Sequence, residues 1–434
     1  MAIAEEPVHH FVDRIAAAVE PSATPRPYTP GPARQICQAI MAQIPAMVIG
    51  QERQIRIEAM LKKLTPQHRQ VLHESVLAFL RPMVAKEASD IDLGGYGCAN
   101  QVWFRIFGSK KPDPELGSYT QDETDILIQN ILSDLDRSFL FTHRFVDFSF
   151  SIIFDSVKVR FRATVYFEMN HLGLNMRLIN KEIRPLASLG FHENILKALS
   201  LQQVKHGLVL ITGITGSGKS TTLDSIIDAN NRTCEAHIII ISNPVEFVHQ
   251  PVKSIIRHRE VGRDVNSFKE GTIQSLRQDP DIIVIGEMRD ADTISTVLEV
   301  ADSGHKVFTT LHTSSATEAV DRILGETPST EQTRIRERLA DVLTCVISQK
   351  LVPDLSGRLI LAKEVMLATP AVRAAVRNNH TDELYQLIYQ GNKFGMITME
   401  QDLVRLYKSK RISLDEGYNQ ANNKKRFEDL INLV

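Results

Sequence analysis

The sequence predicts an α/β core with a mostly parallel sheet, preceded by a smaller α+β domain and by a helical N-terminal extension. Three observations predict it. Between Gly207 and Leu311, short continuous apolar runs (GLVLIT, HIIII, DIIVIG, KVFTTL) alternate with helical stretches, the mark of strands buried on both faces. Between Glu87 and Ile179 the pattern is alternating, β-branched and aromatic, as in an antiparallel sheet. Before Lys86, apolar residues recur at three- and four-residue steps, as on helices.

In order along the chain, residues up to about Glu20 read as a short helix, and PSATPRPYTPGP (Pro21 to Pro32) reads as a linker, because its prolines can hold neither a helix nor a central strand. ICQAIMAQIPAMV and HRQVLHESVLAFL carry the helical period, which gives an extension over 1–86. QVWFRIFG, FVDFSFSII, VKVRFRATVYFE and LGLNMRLI are strands, ETDILIQNILSDL is an amphipathic helix between the first two, and together they form the α+β domain of 87–190. NKEIRPLASLGF bridges to the core of 191–434. Beyond Thr327 the chain reads as helical to its end, through RIRERLADVLTCVISQKL, AVRAAVRN and MITMEQDLVRLYKSKR, with Met366 packed in the core. No internal repeat is visible.

Bulk numbers set limits. With 434 residues, 43% of them hydrophobic, the chain can bury two or three cores. Its 50 basic and 52 acidic residues leave a net charge of -2, so no whole-molecule field draws it to nucleic acid or to an anionic membrane. Cys37, Cys98, Cys234 and Cys345 stand far apart, which argues against a zinc site or a disulfide framework and fits a reducing compartment. The N-terminus lacks the pattern of a signal peptide, and no run of about 18 apolar residues is present to span a membrane.

The chemistry begins at Gly213-Ile214-Thr215-Gly216-Ser217-Gly218-Lys219-Ser220, which fits G-x-x-x-x-G-K-[ST] between a strand and a helix. Glycines let backbone N–H groups turn inward around a phosphate, and the helix presents the positive end of its dipole. Gly213, Thr215, Gly216, Ser217, Gly218, Lys219, Ser220 and Thr221 are therefore the candidate residues for binding ATP, with the Ser220 hydroxyl placed to ligate Mg²⁺. DPDIIVIGEMRD is a second apolar strand with an acidic end, and its Glu287 is the candidate to complete the metal shell or orient water.

These motifs, with SNPVEF before the second strand and SGHKVFTTLHTSSA after it, resemble in order the Walker A, Asp, Walker B and His boxes of the secretion and type IV pilus motor ATPases. The likeness runs from about Glu87 to the C-terminus and is greatest to the retraction type, which shares GEMRD and TPAVR. Assembly ATPases usually carry a tetracysteine zinc module, which this chain lacks. The resemblance implies a RecA-like P-loop core behind a PAS-like domain. It also implies a homo-hexamer that is cytoplasmic, peripheral to the inner membrane through a pilus platform protein, and drives pilus disassembly in twitching motility. It assigns His305 and His312 to the phosphate side, His305 as a nucleotide contact and His312 as a catalytic group. Arg259 and Arg263, with Arg160, Arg162 and Arg177, become candidates for neutralising phosphate charge.

The chain departs from the family at one place. Where relatives read I-E-D-P-x-E, it has Ile241-Ser242-Asn243-Pro244-Val245-Glu246, and a serine cannot serve as a general base near neutral pH. Three readings stay open: Glu246 or Glu287 takes the role, with Glu246 preferred; the chain binds ATP with slow or no turnover, as a structural subunit beside a related motor ATPase; or the strand register differs and another carboxylate fills the site. A motor of a type II or type IV secretion or DNA-uptake system is the remaining rival. Direct contact with nucleic acid is not expected, because no basic run is interleaved with aromatic residues.

Overall fold

The computed structural model describes residues 31–106, 109–154, 157–179 and 183–432, in two compact units that part between Lys181 and Glu182. The expected helix before Glu20 and linker residues 21–30 lie outside the described residues.

In the first unit, strands β1 (Asp90–Gly94), β2 (Trp103–Ile106), β3 (Ser109–Pro112), β4 (Phe145–Phe154), β5 (Val157–Glu168) and β6 (His171–Ile179) form an antiparallel sheet in the order β3-β2-β1-β6-β5-β4. β4 buries every second residue, so one face of that edge strand meets the core. β1 and β3 go beyond the sequence reading; β3 is SKKP, exposed throughout, and offers no apolar period to detect. The helix Gln121–Ile131 starts at a capping box in which Thr120 and Glu123 satisfy each other's backbone N–H groups.

The helices Gly31–Met41, Gly50–Lys63 and Pro66–Ala85 pack onto this sheet. Ile57, Leu72, Phe79 and Met83 share one buried cluster with Phe104, Ile128, Phe161 and Met176. The described part of the segment set apart as 1–86 is thus built into the same unit as the sheet, and a chain of buried polar groups ties them. Gln54 Nε2 donates to Asp125 Oδ2 at 2.6 Å, Gln129 Nε2 donates to Gln54 Oε1 at 2.7 Å, and the Leu172 N–H donates to Asp125 Oδ1 at 2.7 Å. His171 Nδ1 stands 2.8 Å from the same Asp125 carboxylate. Such a network was invisible to a hydrophobic period, because its members are glutamine and aspartate on helix faces.

The second unit contains a sheet of seven strands among the described residues: β7 (Gly207–Thr212), β8 (His237–Ser242), β9 (Ile255–Glu260), β10 (Ile282–Ile285), β11 (Lys306–Leu311), β12 (Leu343–Pro353) and β13 (Leu359–Leu367). Their order is β13-β12-β7-β11-β10-β8-β9, parallel throughout except for the β12–β13 pair. Leu208 and Leu210 of β7 face one layer of helices and Val209 and Ile211 face the other, so the sheet is covered on both sides as the apolar runs predict.

One expectation is corrected here. The stretch from Thr327 does not stay helical: the helix Gln332–Val342 ends at Leu343, and β12 and β13 form a hairpin whose first strand lies beside β7. The strong helical period of RIRERLADV was carried forward into LTCVISQKL, where β-branched and alternating residues take over. Met366 is buried as expected, but on β13 rather than after a helix. Cys37, Cys234 and Cys345 are buried and Cys98 is partly so, all as free thiols.

Glu364, buried on β13, joins two helices to the sheet by accepting from the N–H groups of Ala316 at 2.7 Å and Met399 at 3.4 Å. Burial, with the like charge of Glu400, raises its pKa to about 7.

Two predictions follow from these buried groups. Gln54→Ala leaves Asp125 and Gln129 short of partners and lowers the unfolding free energy by about 1–3 kcal/mol in urea titration. For Glu364 the folded pKa lies above the unfolded one, so the folded state binds the extra proton. As pH falls from above 7 toward 4.5, the parent gains stability relative to Glu364→Gln, by roughly 2 kcal/mol between pH 7.5 and 5.5 at 1.36 kcal/mol per pKa unit. Urea unfolding of both proteins at the two pH values checks it.

Candidate functional site

The phosphate-binding loop leaves the end of β7 and runs into the helix Lys219–Thr233. Two glycines are fixed by geometry. Gly213 has φ 148°, and a Cβ there would come 2.3 Å from Ser217 Oγ and 2.5 Å from the Gln349 carbonyl; Gly218 has φ 86° at the helix start. With no side chain at either point, the loop can curl tightly, and the Ser217 N–H donates back to the Ile214 carbonyl at 3.2 Å. Ser220 and Thr221 are exposed on the first turn, while Ser217 is buried and its Oγ has no hydrogen-bond partner among the described residues.

Lys219 is nearly buried, and its ammonium donates back to the loop, to the Gly213 carbonyl at 2.7 Å and the Ile214 carbonyl at 3.1 Å. Burial lowers its pKa, opposed by the charges of Glu287 and Glu246. A cation held mainly by neutral carbonyls in a desolvated loop favours an anion such as a phosphate.

Glu287 stands just past β10. Its Oε2 lies 2.8 Å from Arg289 Nη2 and 3.6 Å from His312 Nε2, so β10 and β11 deliver a carboxylate and an imidazole to one point. Burial lowers the His312 pKa and the charge of Lys219 lowers it further, against the pull of Glu287. His312, Glu287 and Lys219 therefore share one electrostatic site at the C-terminal ends of the parallel strands, where open α/β sheets bind ligands. The Ser220 hydroxyl and the Glu287 carboxylate are oxygen donors of the kind Mg²⁺ takes, so this set fits that ion.

β8 ends beside this point. The Gly286 N–H donates to the Ile241 carbonyl at 2.8 Å, and a Cβ on Gly286 would stand 3.3 Å from Ser242 Cα. Ser242 and Asn243 thus occupy the edge of the site with no charge, and Glu246 follows in a loop whose charge reaches Lys219. Arg259 and Arg263 lie at and beyond the end of β9 but are held locally: Arg259 Nη2 donates to Gln274 Oε1 at 2.8 Å and the Asp264 carbonyl at 3.1 Å, and Arg263 Nε is 3.1 Å from Glu260 Oε1.

His305 is not with the others. It precedes β11, its carbonyl accepting from the Gly207 N–H and its Nδ1 lying 2.9 Å from Ser303 Oγ. His312 follows the same strand, so the two histidines are separated by roughly 20 Å at about 3.3 Å per residue. Within the chain His305 lies at the far end of the sheet from the loop. The two histidines are paired by their membership of the His box; the intervening strand sets them apart.

The sequence reading also missed a brace. Gln349 of β12 is almost fully buried, and its Nε2 donates to the Ser217 carbonyl at 2.8 Å; beside it, Thr212 Oγ1 donates to Ser348 Oγ at 2.8 Å. The signal was the β-branched alternation of LTCVISQKLVP, which places Gln349 on a strand next to the loop.

The chain is similar to known proteins over most of its length. The family model described as "Type II/IV secretion system protein" matches residues 67–430. A type IV pilus retraction ATPase, PilT, of Pseudomonas aeruginosa is 38% identical over 295 residues, covering 68% of this chain and 84% of that protein. A twitching motility protein of Neisseria gonorrhoeae is 37% identical over 316 residues, covering 71% and 81%. Among solved structures, the pilus retraction motor PilT with bound ADP matches with a TM-score of 0.73 and 36% identity, covering 82% of this chain and 99% of that one.

Gln349→Ala removes the only side-chain hydrogen bond that Ser217 O receives among the described residues. It is expected to weaken Mg-ATP binding about 10-fold, through loss of one buried hydrogen bond, and to lower the unfolding free energy by about 1–3 kcal/mol; titration calorimetry and urea unfolding against the parent measure the two effects.

Proposed function

The chain belongs to the family of type II/IV secretion system proteins, and from that premise we propose that it is an ATP-driven hexameric motor of the type IV pilus, powering retraction in twitching motility. The observation that supports this most is the convergence of Lys219, Glu287, His312 and the inward-turned loop at one end of the parallel sheet. The chain works in the cytoplasm beneath a membrane platform protein. No helix among the described residues is long and apolar enough to cross a membrane.

In this reading the loop amides of 213–219 and the helix dipole cradle the β-phosphate, and Lys219 turns from its two carbonyls to the β- and γ-phosphates. Ser220 and Glu287 would hold Mg²⁺, and the bound ion would supply charge neutralisation at the phosphates. Phosphoryl transfer depends chiefly on such positioning and charge, so the absence of an acid at Ser242 removes one part of the machinery and leaves the rest. Glu246 orients and deprotonates the attacking water, because it is the nearest acid following β8 whose charge reaches Lys219. His312 donates toward the γ-phosphate side, its position fixed by Glu287. Arg259 and Arg263 are charge-stabilising residues for a site shared between subunits.

Phosphate release from the size-checked oligomer with Mg-ATP tests this. The parent turns over, Lys219→Ala abolishes both binding and turnover, and Glu246→Gln lowers kcat by about 100-fold or more with KM little changed, as for a general base. A Glu246→Gln protein with parental kcat moves the base to Glu287. A parent that binds ATP tightly without releasing phosphate, and gains turnover in Ser242→Glu, overturns the motor reading in favour of an ATP-binding structural subunit.

A further inference from the structure

The loop from Asn243 to Ser254 carries Glu246 yet has no helix or strand of its own, so its contacts with neighbouring elements fix where it lies. At its start the Val245 N–H donates to Glu260 Oε2 at 3.0 Å. At its middle stands His249, only 3% exposed, whose Nε2 lies 3.0 Å from Asp224 Oδ1. Asp224 is on the helix Lys219–Thr233, four residues beyond Ser220 and therefore on the same helix face. The His249 backbone N–H donates to His258 Nε2 of β9 at 3.1 Å, and the two rings stack at 6.0 Å between centroids. Phe247 closes edge-on over His249 at 4.8 Å, and Asn231, on the same helix as Asp224, donates to the Gln250 carbonyl at 2.8 Å.

We propose that Asp224 and His249 form a positioning pair that pins the loop of 243–250 to the helix carrying Lys219, so that Glu246 is held facing the site. This rests on the reading of the chain as an ATPase. The two groups share one hydrogen bond between the helix that grips the phosphates and the loop that carries the proposed base. Asp224 is not itself that base: its oxygen is committed to His249, and the acids whose charges reach Lys219 are Glu287 and Glu246. Nor does the pair look like ordinary packing. Burial and the like charge of Glu246 both raise the Asp224 pKa, against His249, and His249 Nδ1 is buried without a hydrogen-bond partner among the described residues. An apolar residue at either position would avoid these costs. What the hydrogen-bonded pair adds is direction, since a hydrogen bond fixes where the loop lies and dispersion contacts alone would not.

The test has two arms. Hydrogen–deuterium exchange on the nucleotide-free oligomer reads the pin directly: Asp224→Ala speeds exchange at the amides of 245–250 by about 10-fold or more, as local opening becomes easier, and leaves β10 and β11 unchanged. Unchanged exchange in 245–250 overturns the proposal whether or not the protein hydrolyses ATP, and it does so without touching the motor reading. Steady-state phosphate release reads the consequence: Asp224→Ala lowers kcat about 10-fold or more while KM shifts less than about threefold, and Asp224→Asn, which keeps an acceptor for the imidazole, recovers most of the loss. In the Glu246→Gln background Asp224→Ala costs nothing further, because its effect passes through Glu246. Additive losses in the double variant, or a parental kcat in Asp224→Ala, overturn the positioning role. If Asp224→Ala does not fold, His249→Gln carries both arms.

Discussion

β7 is buried along its whole length between β11 and β12, and the phosphate-binding loop hangs from its end. The site depends on this arrangement more than on any single catalytic side chain. A loop of glycines has little conformational preference of its own, and left free it would sample many backbones. Here its first glycine is wedged between Ser217 and the Gln349 carbonyl, and its middle is tied to Gln349 Nε2. The parallel register then sets the remaining geometry. Because β7, β11, β10 and β8 run the same way, their C-terminal ends deliver the loop, His312, Glu287 and Ser242 to one side of the sheet. The opposite ends, where His305 and Lys306 stand, serve packing: Lys306 is fully buried and donates to the carbonyls of Ala198 and Val204, holding the helix Glu193–Leu199 against the sheet.

Around Lys219 the charges nearly balance. Two acids reach it, one of them shared with Arg289 and His312, and a desolvated ammonium is left with carbonyls as its hydrogen-bond partners. A third acid at the end of β8 would add negative charge beside the place where phosphates must sit. With Ser242 and Asn243 there instead, the site repels a polyphosphate less, and the end of β8 offers no carboxylate to activate water.

How much of this could be read from the sequence follows from which residues announce themselves. The strands β7, β8, β10 and β11 are nearly all apolar, and the loop motif between β7 and its helix left little choice about the core or about Lys219 and Ser220. β9 (IIRHRE) is an edge strand with charged residues, and β12 follows a helix whose period masks it, so both escaped. Gln349 went unseen with β12, since its role exists only once the strand is placed beside the loop. His305 was assigned by its membership of a motif; a strand of known rise separates motif neighbours that short spacing in the chain brings together. In the first unit, Gln54, Asp125 and Gln129 join elements about 70 residues apart through polar groups, which no pattern of apolar residues can foretell.

The late position of β12 has a consequence for synthesis of the protein. Thr212 and Ser348, hydrogen-bonded in the folded chain, are 136 residues apart in sequence. As the polypeptide leaves the ribosome, the whole phosphate-binding motif and its helix are available long before the strand that walls them in. Until that strand docks, β7 has an open edge and the loop lacks its brace, an arrangement that exposes apolar surface and unpaired backbone groups. Competence to hold nucleotide is therefore acquired late, and a fragment ending before Leu343 would contain every residue of the motif without containing the site.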